Sequence, residues 1–175
     1  MAVLIRRLEE EDEVWSFDCG DGPLNNYLRK HAWANQQMNS IGVSYVAVEE
    51  SAPRAVLGYF TLATASVPRS ALPENLARGL PRYDVPVILL ARLGVDRRFS
   101  GRGLGTALLS EAFRITLRVA EQAGCHAMIT DAYSSAVEWY GRYGFIALDP
   151  APAGRPQRMF LDLRTLRASL KGPPE

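Results

Sequence analysis

Only two cysteines occur in this chain, Cys19 and Cys125, far apart and in no CxxC pair, and only two histidines accompany them. That scarcity gives no support to a disulfide framework or a zinc site, both of which need closely spaced thiolates or imidazoles. The thiols read as small buried side chains, and His31 and His126 read as structural. Long apolar runs are missing too. The opening "MAVLIRRLEEEDE" has a few apolar residues before charge resumes, too short for a signal segment or a membrane span, so a cytoplasmic protein without membrane contact is expected. Repeats, linkers and low-complexity tracts are also absent. What is there, 175 residues at 47% hydrophobic and 22% charged, is enough for one sizeable core, and a single domain spanning 1–175 is expected.

The net charge of only +1 excludes a uniformly basic or acidic chain, but it hides a sorting along the sequence. Residues 1–53 set four basic residues against nine acidic ones, whereas residues 54–118 set ten arginines against four acids. A middle third with a net +6 is either a solvated face with scattered ion pairs or a surface for a polyanion.

Hydrophobic spacing predicts a strand at 3–8, a helix over 22–38 started by Asp21 and Pro23, and a hairpin of 43–50 with 55–68. An irregular proline-rich stretch follows at 69–86. "VILLARLGVD" (87–96) is apolar enough for a central strand covered on both faces. Apolar residues from Leu104 to Ala123 recur at steps of three and four, predicting a helix of about five turns that stops near Gly124. A strand at 126–133 and a short helix at 134–144 come next, the helix capped by Ser134 or Ser135. "FIAL" and "QRMFLDL" read as closing strands, and the charged tail has no evident role.

Between the central strand and the long helix lies "RRFSGRGLGTALL" (97–109), with three arginines and three glycines. A strand that turns through glycines into a helix presents several backbone N–H groups in one direction, which makes an anion site. Gly101, Gly103 and Gly105 remove the Cβ atoms that would hold a phosphate off, and Arg97, Arg98 and Arg102 add charge. The stretch has no lysine, so it is not a P-loop, and its glycine spacing and late position do not suit a dinucleotide fingerprint.

The sequence resembles the GNAT N-acetyltransferases on "LGVD" (93–96), "SGRGLG" (100–105), the helix from 104 and "AVEWYGRYGF" (136–145). Ser100 stands where that family usually has Gln or Arg. Over nearly the whole chain, "FDCGDGPLNNYLRKHA" (17–32), "GYFTLATASV" (58–67) and "LPRYDVPVILLARLGVD" (80–96) look like the GNAT-type toxins of bacterial toxin–antitoxin modules. The resemblance implies an α/β fold: a mixed, mostly antiparallel sheet splayed between its fourth and fifth strands and flanked by helices. It implies acetyl-CoA as cosubstrate, with pantetheine held by backbone around Leu93, Gly94 and Val95. The pyrophosphate would lie on the loop comprising Arg98, Ser100, Gly101, Arg102, Gly103, Leu104, Gly105 and Thr106. Tyr140 occupies the family's general-acid position. The resemblance further implies aminoacyl-tRNA as the acceptor and a ribbon-helix-helix antitoxin as partner, and it leaves homodimerisation open. Arg29, Lys30, Arg78, Arg82 and Arg92 are the candidates for contacting tRNA. Two other readings share the acyl-CoA site: an acetyltransferase of a small amine or protein N-terminus, and a non-catalytic acyl-CoA-binding module.

Overall fold

A computed structural model describes residues 1–171. Its strands are β1 (Val3–Arg7), β2 (Val43–Glu49), β3 (Ala52–Val67), β4 (Val85–Val95), β5 (Ala127–Ala132), β6 (Ile146–Ala147) and β7 (Gln157–Asp162). The main helices are α1 (Gly22–Lys30), α2 (Leu104–Ala123), α3 (Val137–Gly141) and α4 (Leu163–Lys171). The strands form one mixed sheet in the order β1-β2-β3-β4-β5-β7-β6. β1 with β2, β2 with β3, β5 with β7, and β6 with β7 are antiparallel. β4 and β5 are parallel neighbours, as a crossover through the 20-residue α2 requires. The expected α/β mixed sheet with flanking helices is therefore present. Among the described residues no helix is long and apolar enough to cross a membrane.

The chain forms two compact units, and β3, β4 and α2 each run from one into the other. The first comprises Met1–Ala63 and Leu90–Ala112. Its core gathers Leu8, Phe17, Leu28, Val46, Val56 and Tyr59. The second comprises Thr64–Leu89 and the chain from Phe113 onward, with a core of Val67, Leu72, Val85, Val87, Ile129 and Phe160.

The sequence places most elements well, and the departures have physical causes. The helix expected over 22–38 does begin at Asp21, whose carboxylate accepts from the Leu24 N–H at 2.9 Å. It breaks at His31, continues as one turn over Ala32–Ala34 and widens into a π turn over Asn35–Asn39. There the buried Gln36 amide donates to the Leu8 carbonyl at 3.1 Å and accepts from the Ser44 N–H at 3.0 Å. Those two bonds tie the turn to the sheet margin, which a regular amphipathic pattern does not foresee. β3 starts three residues earlier than expected, so the hairpin turns at Glu50 and Ser51 rather than across "SAPR". Neither Ser134 nor Ser135 caps α3: both lie in a 3₁₀ turn that precedes it, and no side chain caps the helix. The tail forms α4, anchored by the fully buried Leu166.

Gly58 on β3 matters for placing α2. A Cβ built there would lie 2.9 Å from Leu108 Cδ1 and 3.1 Å from the Gly94 carbonyl oxygen. The missing side chain lets the first turns of α2 seat against the strands. Gly58→Val is therefore expected to cost about 1–3 kcal/mol through overpacking, lowering Tm by roughly 2–4 °C per kcal/mol. Thermal unfolding followed by circular dichroism checks this, and an unchanged Tm would show that α2 does not depend on the close approach.

Candidate active site

The glycine-rich junction follows β4 directly. Asp96 directly follows the strand and is 1% exposed, yet it carries a full hydrogen-bond set. Its carboxylate accepts from the Arg98 backbone N–H at 2.9 Å, from Arg98 Nε at 2.9 Å and Nη2 at 2.8 Å, and from the Asp18 N–H at 3.1 Å. These donors, the Arg98 guanidinium foremost, hold the Asp96 carboxyl below its ordinary value against the opposing effect of burial. Arg97 pairs with Asp18. The Asp18 carboxylate also accepts from the Gly20 N–H and the Asn25 side chain, both at 2.8 Å, and is held down to about 2, chiefly by the Gly20 N–H. Asn25 in turn accepts from the Cys19 N–H at 2.9 Å.

Two of the three junction arginines are thus committed to carboxylates. Arg98, expected beside the phosphates, pairs with Asp96 and so fastens the loop to the strand end, its side chain still largely exposed, and Arg102 lies over the Phe99 ring at 5.6 Å. The glycines leave open space. Gly101 and Gly103 have φ of +74° and +79°, and a Cβ at either would meet no atom within 4 Å. Open space in front of left-handed glycines at the start of α2 is the arrangement in which helix-terminal N–H groups receive an anion. Ser100 and Thr106 are exposed on this rim, Gly105 is half-buried, and Leu104 turns inward at 6% exposure to anchor the helix start.

On β4, Leu93 and Val95 are half-buried. The position of Gly94's absent Cβ faces Cys19 Sγ at 3.4 Å and Phe17 Cζ at 3.5 Å, so that side of the strand is covered by the N-terminal segment. Arg92 is half-buried, with its guanidinium 4.1 Å from the centre of the Tyr27 ring. Arg29 donates to the Phe17 carbonyl, and its buried Nε has no partner among the described residues. Both are structural participants in the first unit as well as candidates for substrate. Lys30 is exposed. In the second unit, Arg78 and Arg82 are exposed on the proline-rich stretch.

Tyr140 on α3 is 7% exposed and lies among Trp139, at a ring separation of 4.9 Å, and Phe145, at 5.4 Å. Its hydroxyl is hydrogen-bonded to the Thr130 side chain on β5, and burial pushes its pKa upward. A phenol so placed keeps its proton across the physiological range and acts as a donor.

A family model described as "Acetyltransferase (GNAT) domain" matches residues 40–147. The chain is also 36% identical over 141 residues to the tRNA-acetylating toxin of Mycobacterium tuberculosis, covering 80% of this chain and 82% of that protein. It belongs to the GNAT acetyltransferase family. Among solved structures, it is similar to AtaT complexed with acetyl-methionyl-tRNAfMet, with a TM-score of 0.86 and 26% identity over 97% of this chain and 99% of that one. A tyrosine-to-phenylalanine AtaT toxin bound to the C-terminus of the antitoxin AtaR matches with a TM-score of 0.76 and 25% identity, over 95% and 96% of the two chains.

For a GNAT domain, the sequence reading missed Thr130 and the Asp18–Asn25 pair. Thr130 signals itself only as a polar residue in an apolar strand, and Asp18 and Asn25 only as short polar side chains flanking a Cys-Gly turn. Asp96→Asn should lower stability by about 2 kcal/mol at pH 7, the range for charge-assisted bonds to a buried group. Because the native pKa lies below the ordinary 3.8, the carboxylate's contribution is complete above that value and is lost as pH falls through the folded pKa. The gap between variant and wild type should accordingly narrow as pH falls below the ordinary 3.8 in urea unfolding. A gap independent of pH would place the effect in packing rather than charge.

Proposed function

We propose that residues 1–175 act as one acetyl-CoA-dependent N-acetyltransferase domain whose acceptor is the α-amino group of aminoacyl-tRNA. It would work in the cytoplasm as a translation-blocking toxin held in check by a ribbon-helix-helix antitoxin. The observation that carries the donor half is the cradle of Gly101 and Gly103 at the start of a 20-residue helix, open where their Cβ atoms would stand. It suits a pyrophosphate, and acetyl-CoA supplies an acetyl thioester activated toward amines. The acceptor half is supported by the 36% identity to a tRNA-acetylating toxin and the likeness to AtaT with its acetylated tRNA.

Within that reading, the amides at the start of α2 receive the phosphates, and backbone of Leu93, Gly94 and Val95 lines the way to the reacting end. Tyr140 holds a proton on Oη, oriented by Thr130 and available to a departing thiolate. β4 carries no carboxylate to serve as base. An aminoacyl ester's amine is less basic than a lysine's, so a sufficient fraction is neutral near pH 7 without one.

Tyr140→Phe is expected to leave acetyl-CoA affinity intact and to cost about 1 kcal/mol of stability through the lost Thr130 bond, while turnover falls by roughly 10² to 10⁴. Turnover within twofold of wild type would assign the acid elsewhere. The acceptor is tested with aminoacyl-tRNA and deacylated tRNA side by side: only the first should be acetylated. Changing the exposed Arg78 and Arg82 together to glutamine should weaken tRNA acetylation and flatten its salt dependence by about 0.7–0.9 in log–log slope per lost phosphate contact. A small amine's acetylation should be unaffected. An unaltered salt slope would remove these arginines from the tRNA surface.

A further inference from the structure

The second unit contains a cleft of about 170 Å³ lined by Leu80, Pro81, Tyr83, Asp84, Pro86 and His126. Tyr83 is 68% exposed, an unusual position for a large ring. The chain around it is firmly held. Arg69 donates through Nε to the Leu80 carbonyl at 3.1 Å and through Nη2 to the Ala77 carbonyl at 3.0 Å, and Pro81 and Pro86 restrict the backbone on either side. The ring is therefore presented to solvent by a stiff segment, which keeps the ordering cost of binding low.

We propose that this cleft takes one unpaired base of the RNA substrate, stacked on Tyr83 with its edge toward Asp84 and His126. The inference rests on the aminoacyl-tRNA reading and deepens it. Stacking on an exposed aromatic with hydrogen bonds to the base edge is how proteins recognise unpaired nucleotides. The charges are sorted to match. The Asp84 carboxylate in the cleft repels phosphate but accepts from an exocyclic amine, as adenine and cytosine carry. Arg78 and Arg82, both exposed in the same stretch, serve the backbone phosphates. The same pair of cations disfavours the other class of occupant, an arginine-bearing peptide drawn to Tyr83 and Asp84.

The test compares steady-state acetylation of aminoacyl-tRNA by wild type, Tyr83→Ala, Tyr83→Phe and Tyr83→Trp. The alanine variant should raise KM for tRNA about tenfold or more, the low-to-middle range for one lost stack, with kcat within twofold. The phenylalanine and tryptophan variants should retain wild-type KM. The fluorescence of Tyr83→Trp should be quenched by a single-stranded oligoribonucleotide of adenine and cytosine and not by a blunt RNA duplex. An unchanged KM in Tyr83→Ala, or equal quenching by duplex, overturns the proposal. So does weakened antitoxin binding with normal tRNA kinetics, which would give the cleft to a peptide. If wild type fails to acetylate aminoacyl-tRNA, the acceptor reading falls separately, and the oligonucleotide quenching still decides whether the cleft takes a base.

Discussion

A carboxylate with almost no contact with water follows directly on the central strand. Burying Asp96 would cost several kcal/mol if it were unpaired, and the chain meets that cost by directing donors from two places at it: the backbone and guanidinium of Arg98, and the backbone of Asp18. The junction loop and the N-terminal segment are thereby fixed to one atom group. Arg97 closes the ring from the other side, donating its backbone N–H to the Asp18 carbonyl at 2.9 Å and its guanidinium to the Asp18 carboxylate. The path of the loop into α2 follows from this knot, and so does the direction in which the first helical amides point.

The same knot explains why the N-terminal block sits where it does. Asn25 bridges Asp18 and Cys19, so the first turns of α1 are held to the segment that covers Gly94. Phe17 packs edge-on against Tyr59 at 5.5 Å, and the Tyr59 hydroxyl donates to the Leu24 carbonyl at 2.8 Å. Burial raises the Tyr59 pKa, so that hydroxyl is a fixed donor rather than a titrating group. Arg92 of β4 in turn stacks on Tyr27 of α1 at 4.1 Å, so a ring and a cation link that helix to the strand.

Periodicity alone made the long helix, the central strand and the closing strands legible, because each buries a regular face or is apolar throughout. It failed where a single polar side chain overrides the pattern. Gln36, with its two buried backbone bonds, converts the end of an expected helix into a π turn, and nothing in the spacing of apolar residues around it announces that. At the candidate site the glycine-rich turn between the central strand and the long helix was legible, because glycine readily takes the positive φ that such a turn uses. The arginines were not. Arg97, Arg98 and Arg102 look equivalent in sequence, but their partners are Asp18, 79 residues away, Asp96, two residues away, and the Phe99 ring. A charge count along the chain cannot distinguish a guanidinium that faces solvent from one already matched to a carboxylate.

That distinction bears on the proposal that the junction receives an anion. With Arg97 and Arg98 paired, and Ser100 where a longer polar side chain is usual in the family, side-chain charge contributes less than the composition suggests. The backbone is not subject to the same neutralisation. Aligned peptide dipoles leave roughly half a positive charge at a helix N-terminus, and α2, at 20 residues, is long enough for that alignment. No neighbouring aspartate can pair it away, because it resides in the backbone amides of the helix. The pairing of Arg98 with Asp96 then contributes indirectly: it fixes the turn that aims those amides, and exchanges one unit of mobile charge for a rigid array of donors. On the proposed reading, the junction depends on its glycines more than on its arginines.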